Sequence, residues 1–192
     1  MHLGETFYSE EELRNAGFRS LGQNVKIKKN AGIFFTENIE IGNDVRIDDF
    51  TIIVASGPTC RIGSYVHIAS LCYLAGSAGF EMEDFAGLSP GVLLFTGSDD
   101  YTGKKLTNPT VARGYIGGKQ GFVKLERHVI IGAGSVILPN VTIGTGSSVG
   151  SLSLVTKNLD PWGIYAGIPA KRLRERSQDL LNLEEKFLNE KK

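Results

Sequence analysis

Aliphatic residues recur at every sixth position of this chain, with Leu125, Ile131, Ile137, Ile143, Val149 and Val155 forming an unbroken series. Neither the 3.6-residue period of an α-helix nor the two-residue alternation of an ordinary strand requires that spacing. The same beat appears earlier in Ile27, Ile33 and Ile39; in Ile41, Ile47 and Ile53; in Ile62, Ile68 and Leu74; and in Met82, Leu88 and Leu94. Small residues often stand four positions after the apolar one, as Ala86, Ser135, Ser147 and Ser153 do. The pattern predicts an all-β chain, a parallel β-helix of hexapeptide repeats. Each aliphatic group points into the coil, the small residue fills a corner, and the glycine that often follows (Gly42, Gly63, Gly132, Gly144, Gly150) is expected to permit the turn. Three hexads close one triangular coil of about eighteen residues, stacked about 4.8 Å from the next. The general preference for right-handed crossovers would by itself favour a right-handed coil.

The polar positions divide the chain. Ser9, Glu10, Glu11 and Glu12 ahead of Leu13 and Phe18 predict a short helix with Ser9 as N-cap and Glu12 closing a capping box, so residues 1–24 form an N-terminal cap over the first coil. The β-helix domain spans residues 25–160, and its repeats run from Val25 to Leu94 and resume from Val123 to Val155. Residues 95–122, rich in Gly, Lys, Thr and Asn, interrupt them as an excursion loop of the length that usually serves function. Residues 161–192 form a C-terminal segment in which Leu173, Leu180, Leu183 and Phe187 recur at helical intervals among charges. That helix either caps the open end of the prism or packs on a neighbour.

Composition narrows the function. Lys plus Arg and Asp plus Glu both total 21 of 192 residues, so no net positive field exists to attract nucleic acid. Cys60 and Cys72 lie inside repeats without CxxC spacing and read as reduced packing thiols. The absence of a charged-then-apolar leader and of any apolar stretch long enough to span a bilayer predicts a cytoplasmic protein without membrane insertion. The flat walls of a prism favour self-association over a monomer.

The hexads, the excursion within them, and the segment Tyr165-Ala166-Gly167-Ile168-Pro169-Ala170-Lys171 resemble the left-handed β-helix acyltransferases that use acyl-CoA. Within that group, Phe7-Tyr8-Ser9-Glu10-Glu11-Glu12-Leu13, Val45-Arg46-Ile47-Asp48-Asp49-Phe50, Ile62-Gly63-Ser64-Tyr65 and Asp99-Asp100-Tyr101-Thr102-Gly103 are similar to N-acyltransferases of nucleotide-linked amino deoxysugars, such as the anthrose N-acyltransferases. The resemblance covers nearly the whole chain. It implies a left-handed coil, acetyl-CoA or another acyl-CoA as co-substrate with no metal, a dTDP-linked 4-amino-4,6-dideoxyhexose as acceptor, and a homotrimer with active sites between subunits.

Moving an acyl group from a thioester to an amine requires a path for the lone pair, an acceptor for the proton and donors for the oxyanion. The related maltose and galactoside O-acetyltransferases carry a histidine base in the excursion, whereas residues 95–122 contain none. Asp99, beside Asp100, is therefore the candidate acceptor of an ammonium proton, and a carboxylate there suits an amine better than a hydroxyl. If Met82 stacks on Ile62, then Leu88 stacks on Ile68, which places Ser89 and His67 on neighbouring levels. Ser89 would orient the amine, and His67 would be a second candidate base or a partner for the nucleotide or the pantetheine arm. His128 reads as a surface residue, and Asp-Asp at a loop start is equally compatible with a solvated turn. For CoA, Lys157, Lys171 and Arg172 offer cations, Ala133 and Ser151 allow the pantetheine arm close to the backbone, and the resemblance puts Pro169 near adenine. The alternative for Lys171 to Arg176 is a solvated helix start. Sugar O-acetylation with His67 as base and a non-catalytic scaffold are the competing functions. A metal-dependent hydratase would need three imidazoles, and with His2 near the start of the chain only His67 and His128 remain.

Overall fold

A computed structural model describes residues 6–191 and shows a three-walled parallel coil. The first wall stacks Ser20–Leu21, Ile39–Ile41, Cys60–Ile62, Phe80–Met82, Val123–Leu125 and Thr142–Ile143. The second wall runs from Lys26–Ile27 through His67–Ile68, Gly87–Leu88 and Ser148–Val149 to Gly163–Ala166 and Lys171–Glu175, and the third from Gly32–Phe34 to Leu154–Val155. The coil thus begins at Ser20, ahead of Val25. Registers follow the hexads: Ile41, Ile62, Met82, Leu125 and Ile143 form one inward column. Ile47, Ile68, Leu88, Ile131 and Val149 form another. Almost all these side chains are buried to within a few per cent, and each is worth about 1.5–3 kcal/mol of transfer free energy. Cys60 and Cys72 are buried free thiols, and burial pushes the Cys60 thiol up to about 11.

Corners have their own chemistry. Buried Ser135 and Ser153 both donate to the Gly150 carbonyl, at 3.0 and 2.6 Å, and Ser147 donates to that of Asp160 at 2.8 Å. The glycines after the inward residue act differently from the expectation, because none of the five adopts the left-handed conformation. They are needed for close approach: a Cβ on Gly132 would lie 2.4 Å from the backbone nitrogen of Ser151 in the next coil. The left-handed turn falls two residues later, at Asp44, Tyr65, Gly134 and Gly146.

The first helix, α1 (Glu10–Arg14), has the expected capping box, and its Leu13 is buried in the core. Glu12 receives the Ser9 backbone N–H at 2.6 Å and Lys29 Nζ at 2.9 Å, and these hydrogen bonds hold its carboxyl down at about 2. After the last coil the chain departs from the helical expectation. Lys171–Glu175 is a strand, antiparallel to Gly163–Ala166, so Leu173 and the cations around it stand on an exposed sheet edge. The helix proper, α2, spans Leu180–Glu190. It docks along the corner between the first and second walls, not over the open end. Leu183 is exposed there, and polar pairs together with the Phe187 ring do the anchoring.

That docking revises His128. Far from being a surface residue, it is 8% exposed. Its ring stacks on Phe85, which stacks on Tyr65, with centroids 5.1 and 4.6 Å apart. The sequence misleads because the residues of this corner column are ordered by a helix more than fifty positions later. His128 Nε2 lies 2.7 Å from Glu184 Oε2, Arg127 pairs with the other oxygen, and Phe187 meets the Tyr65 ring edge-on. Burial, then the charges of Arg127 and Arg176, lowers the His128 pKa. Arg176 donates to the carbonyls of His128 and Gly146, both at 2.9 Å, pinning the segment that leads into α2.

Two outcomes test these contacts. The carboxylate of Glu12 stabilises the fold fully above its unfolded value near 4.5 and loses that effect as pH falls toward 2. Glu12→Ala is therefore expected to lower the thermal midpoint at neutral pH, with the gap to the parent closing between pH 4.5 and 2. Glu184→Ala leaves His128 and Arg127 without their partner on α2. Amide exchange across Leu180–Glu190 should accelerate at least tenfold while the amides of the inward columns keep their protection.

Candidate active site

The outward positions near the corner between the second and third walls form a ledge of small residues. Asp48, Ala69, Ser89, Gly132 and Gly150 succeed one another rung by rung, linked by backbone hydrogen bonds such as Ala69 to the Leu88 carbonyl and Ser89 to that of Ile131. Ala133 and Ser151 continue the ledge around the corner, where the Leu152 N–H donates to the Ala133 carbonyl at 2.8 Å. Pro169 lies at the same corner, in the turn that links Ala166 to Lys171, and Ala170 donates to the Leu154 carbonyl. The structure therefore brings Ser89, Ala133, Ser151, Pro169 and Lys171 onto one side. Gly132 and Gly150 on this strip carry no side chain, and Ser89, Ala133 and Ser151 carry short ones, while Leu152 stands exposed at the same corner. Arg172 is on the outer strand but is held by Glu175 at 2.6 Å and lies 5.9 Å over the Tyr165 ring.

His67 and Ser89 do occupy adjacent levels, since Leu88 stacks on Ile68. The residue directly facing His67 is Gly87, and Ser89 lies two positions further along, a diagonal of about 8 Å. His67 Nε2 is 2.7 Å from Asp48 Oδ2, and Arg46 Nε is 2.7 Å from Asp48 Oδ1. Burial pushes the Asp48 carboxyl up, but the hydrogen bonds from His67 and Arg46, with the Arg46 charge, leave it below the usual range. Asp48, the holder of His67, was not among the candidate site residues. Its signal was present, because Asp48 follows the inward Ile47 as Ser89 follows Leu88.

Asp99 is elsewhere. The excursion leaves from the corner between the third and first walls as a short antiparallel ribbon, Gly97–Asp99 against Gly118–Gln120. Its root is tied by buried Thr96, which donates to the Ala75 carbonyl at 2.8 Å and accepts from the Ala78 N–H. Asp99 is exposed at the end of the ribbon. Asp100 instead binds Thr102 and the Lys105 N–H, and the Thr102 side chain is the main cause of its lowered pKa, so it builds the turn. Lys157 follows Leu154–Val155 and is at the same corner as the excursion. In one chain the third wall separates Asp99 and Lys157 from Ser89 and the ledge. Two surface hollows, of about 230 Å³ beside Arg61 and Asp84 and about 190 Å³ under α1, lie away from the ledge.

Known proteins share this fold. Residues 122–157 match the family "Bacterial transferase hexapeptide (six repeats)". The chain is 38% identical to a dTDP-4-amino-4,6-dideoxy-D-glucose acyltransferase of Escherichia coli over 94% of both chains. It superposes on AntD, an N-acyltransferase from Bacillus cereus solved with dTDP and coenzyme A, with a TM-score of 0.92, 45% identity and coverage of 96% of this chain and 98% of that one. A maltose O-acetyltransferase from Clostridium difficile, 21% identical with a TM-score of 0.62 over 91% of this chain and 81% of that one, shares the fold. The chain is thus an acyltransferase built on a left-handed β-helix. It belongs to the hexapeptide-repeat family that includes the acyltransferases of dTDP-linked amino sugars.

Proposed function

We propose that this enzyme transfers an acyl group from acyl-CoA to the amine of a nucleotide-linked amino deoxysugar, a dTDP-4-amino-4,6-dideoxyhexose, for surface polysaccharide synthesis. The observation that carries the reading is a histidine-free excursion offering a carboxylate, opposite a ledge shaped for a thioester arm. The E. coli relative is named for that acceptor, and AntD is solved with dTDP and 3-hydroxybutyryl-CoA. AntD has also been solved with substitutions at a serine and at an aspartate ten residues further on, the spacing of Ser89 and Asp99.

In this reading the pantetheine arm lies along Ala133 and Ser151 toward Pro169, with Lys171 and Arg172 near the phosphates. Ser89 orients the amine, whose lone pair attacks the thioester carbonyl without a covalent enzyme intermediate. The C–N bond forms, the ammonium proton passes to Asp99, and the C–S bond then breaks to release a thiolate, which takes up that proton to leave as the thiol. Because Asp99 and Ser89 lie across a whole wall from each other, a complete site takes Ser89 from one chain and Asp99, with Lys157, from its neighbour. The third wall supplies a surface for that assembly. Its outward rungs are Ile52, Tyr73, Leu93, Val136 and Leu154, with Phe34, Val54, Ala75 and Phe95 beside them. Such an apolar face fits a homotrimer. A second reading, sugar O-acetylation, draws on the His67–Asp48 pair, which has the form of an oriented general base.

The assay follows thiol release from acetyl-CoA and 3-hydroxybutyryl-CoA with dTDP-4-amino, dTDP-3-amino and unlinked hydroxyl sugars. Turnover of the hydroxyl sugars alone would replace the main reading with the second. Asp99→Asn is expected to lower kcat at least 100-fold with the KM for acyl-CoA nearly unchanged. Coexpressing inactive Asp99→Asn with an inactive ledge variant, Ser89→Phe, should restore part of the activity, and no restoration would place both residues in one chain's site. Tyr73→Glu on the apolar wall should shift the species seen in sedimentation from trimer to monomer and abolish turnover.

A further inference from the structure

A buried column runs beneath the ledge. Thr51, Cys72, Val92, Ser135 and Ser153 hold the same inward corner position on successive coils. The residue after each donates to the carbonyl of the next member: Ile52 to Cys72, Tyr73 to Val92, Leu93 to Ser135 and Val136 to Ser153. None of the five is more than 2% exposed. Three of them reach out to the ledge carbonyl of the following coil: Thr51 Oγ1 donates to Ala69 at 2.8 Å, Cys72 Sγ to Ser89 at 3.3 Å and Ser135 Oγ to Gly150 at 3.0 Å. Val92 has no donor to give. The column therefore fixes ledge peptides from inside the prism as well as filling its corner.

The Ser89 rung depends on this support more than its neighbours do. Ser89 precedes Pro90, so the peptide between them has no N–H, and its carbonyl is the single group through which a hydrogen bond can set its tilt. On its other side the Ser89 N–H donates to the Ile131 carbonyl at 2.9 Å. Ser89 is thus held by the following coil through its N–H and by the preceding coil through Cys72. Burial pushes the Cys72 thiol up, which retains the proton that the thiol donates. We infer that Cys72 is a positioning residue for acyl transfer, its buried thiol fixing the Ser89–Pro90 peptide and, through it, the direction in which the Ser89 hydroxyl meets the acceptor amine. That role rests on the reading of Ser89 as the group that orients the amine. Buried as it is, Cys72 touches neither substrate.

Cys72→Ala and Cys72→Ser leave side chains of nearly equal volume, so together they separate the hydrogen bond from packing. In the thiol-release assay with acetyl-CoA and a dTDP-4-amino sugar, run well below the thermal midpoint of each variant, Cys72→Ala should lower kcat about tenfold with the KM for acyl-CoA within about twofold of the parent. Cys72→Ser keeps a donor and should recover kcat to within about threefold. If Cys72→Ala does not fold, Cys72→Val carries the same expectation, since Val92 already occupies this column. Thr51→Val removes the matching donor one coil away, beneath Ala69, and should leave kcat within about twofold. Combined with Ser89→Ala, Cys72→Ala should add no more than about a further twofold loss, because the hydroxyl it aims is already gone. Four results would each overturn the positioning role and leave the acyltransferase reading standing: parent-like kcat without the donor, equal losses in Cys72→Ala and Cys72→Ser, a comparable loss in Thr51→Val, or fully multiplied losses in the double variant. Parent-like kcat in Ser89→Ala would instead overturn the role of Ser89 and that of Cys72 with it.

Discussion

The whole molecule rests on one repeated hydrogen bond, the one each coil makes to the coil beneath it. Because rungs are about 4.8 Å apart and in parallel register, every sixth side chain is compelled to point inward and every neighbour outward. Ile131 is buried because it stacks on Leu88, and the same pairing sets Gly132 beside Ser89. Packing and function are thus two faces of one register. A backbone shift of a single residue would send the aliphatic column outward and break the ledge together with it.

Close stacking also explains which residues are tolerated where. Gly132 leaves no room for a Cβ against the coil below, so the flat ledge is a by-product of coils packed at their limit. The corners relieve the strain differently on each edge of the prism. One edge stacks Tyr65, Phe85 and His128 under α2, closing it with aromatic faces and the Glu184 carboxylate. Another keeps Ser89, Ala133 and Ser151, leaving the backbone approachable. The third extrudes the excursion. One repeating unit therefore produces a sealed edge, an open edge and a reaching edge.

Much of this was legible in the residues. The hexads fixed the inward columns, Ser9 and Glu12 marked α1, and the stacking of Leu88 on Ile68 followed from the period. What escaped depended on contacts remote in the chain. His128 reads as exposed until Glu184 is brought to it, and Leu173 continues a helical pattern until the strand Gly163–Ala166 claims it as an antiparallel neighbour. The separation of Asp99 from Ser89 was invisible for another reason, since ten residues of sequence conceal that a full wall lies between them. Asp48 was legible in principle, being to Ile47 what Ser89 is to Leu88.

The ribbon from Gly97 to Gln120 has one more implication. It departs from and returns to the coil at the same corner, anchored by Thr96, and the strands on either side, Leu93–Phe95 and Val123–Leu125, keep the register of the coils around them. Its length is consequently decoupled from the periodicity that governs the rest of the chain. Insertions, deletions or wholesale replacement at this junction alter the chemistry offered to an acceptor while costing the scaffold nothing in stacking, so new acceptor preferences can arise by grafting at one point on an otherwise unchanged column.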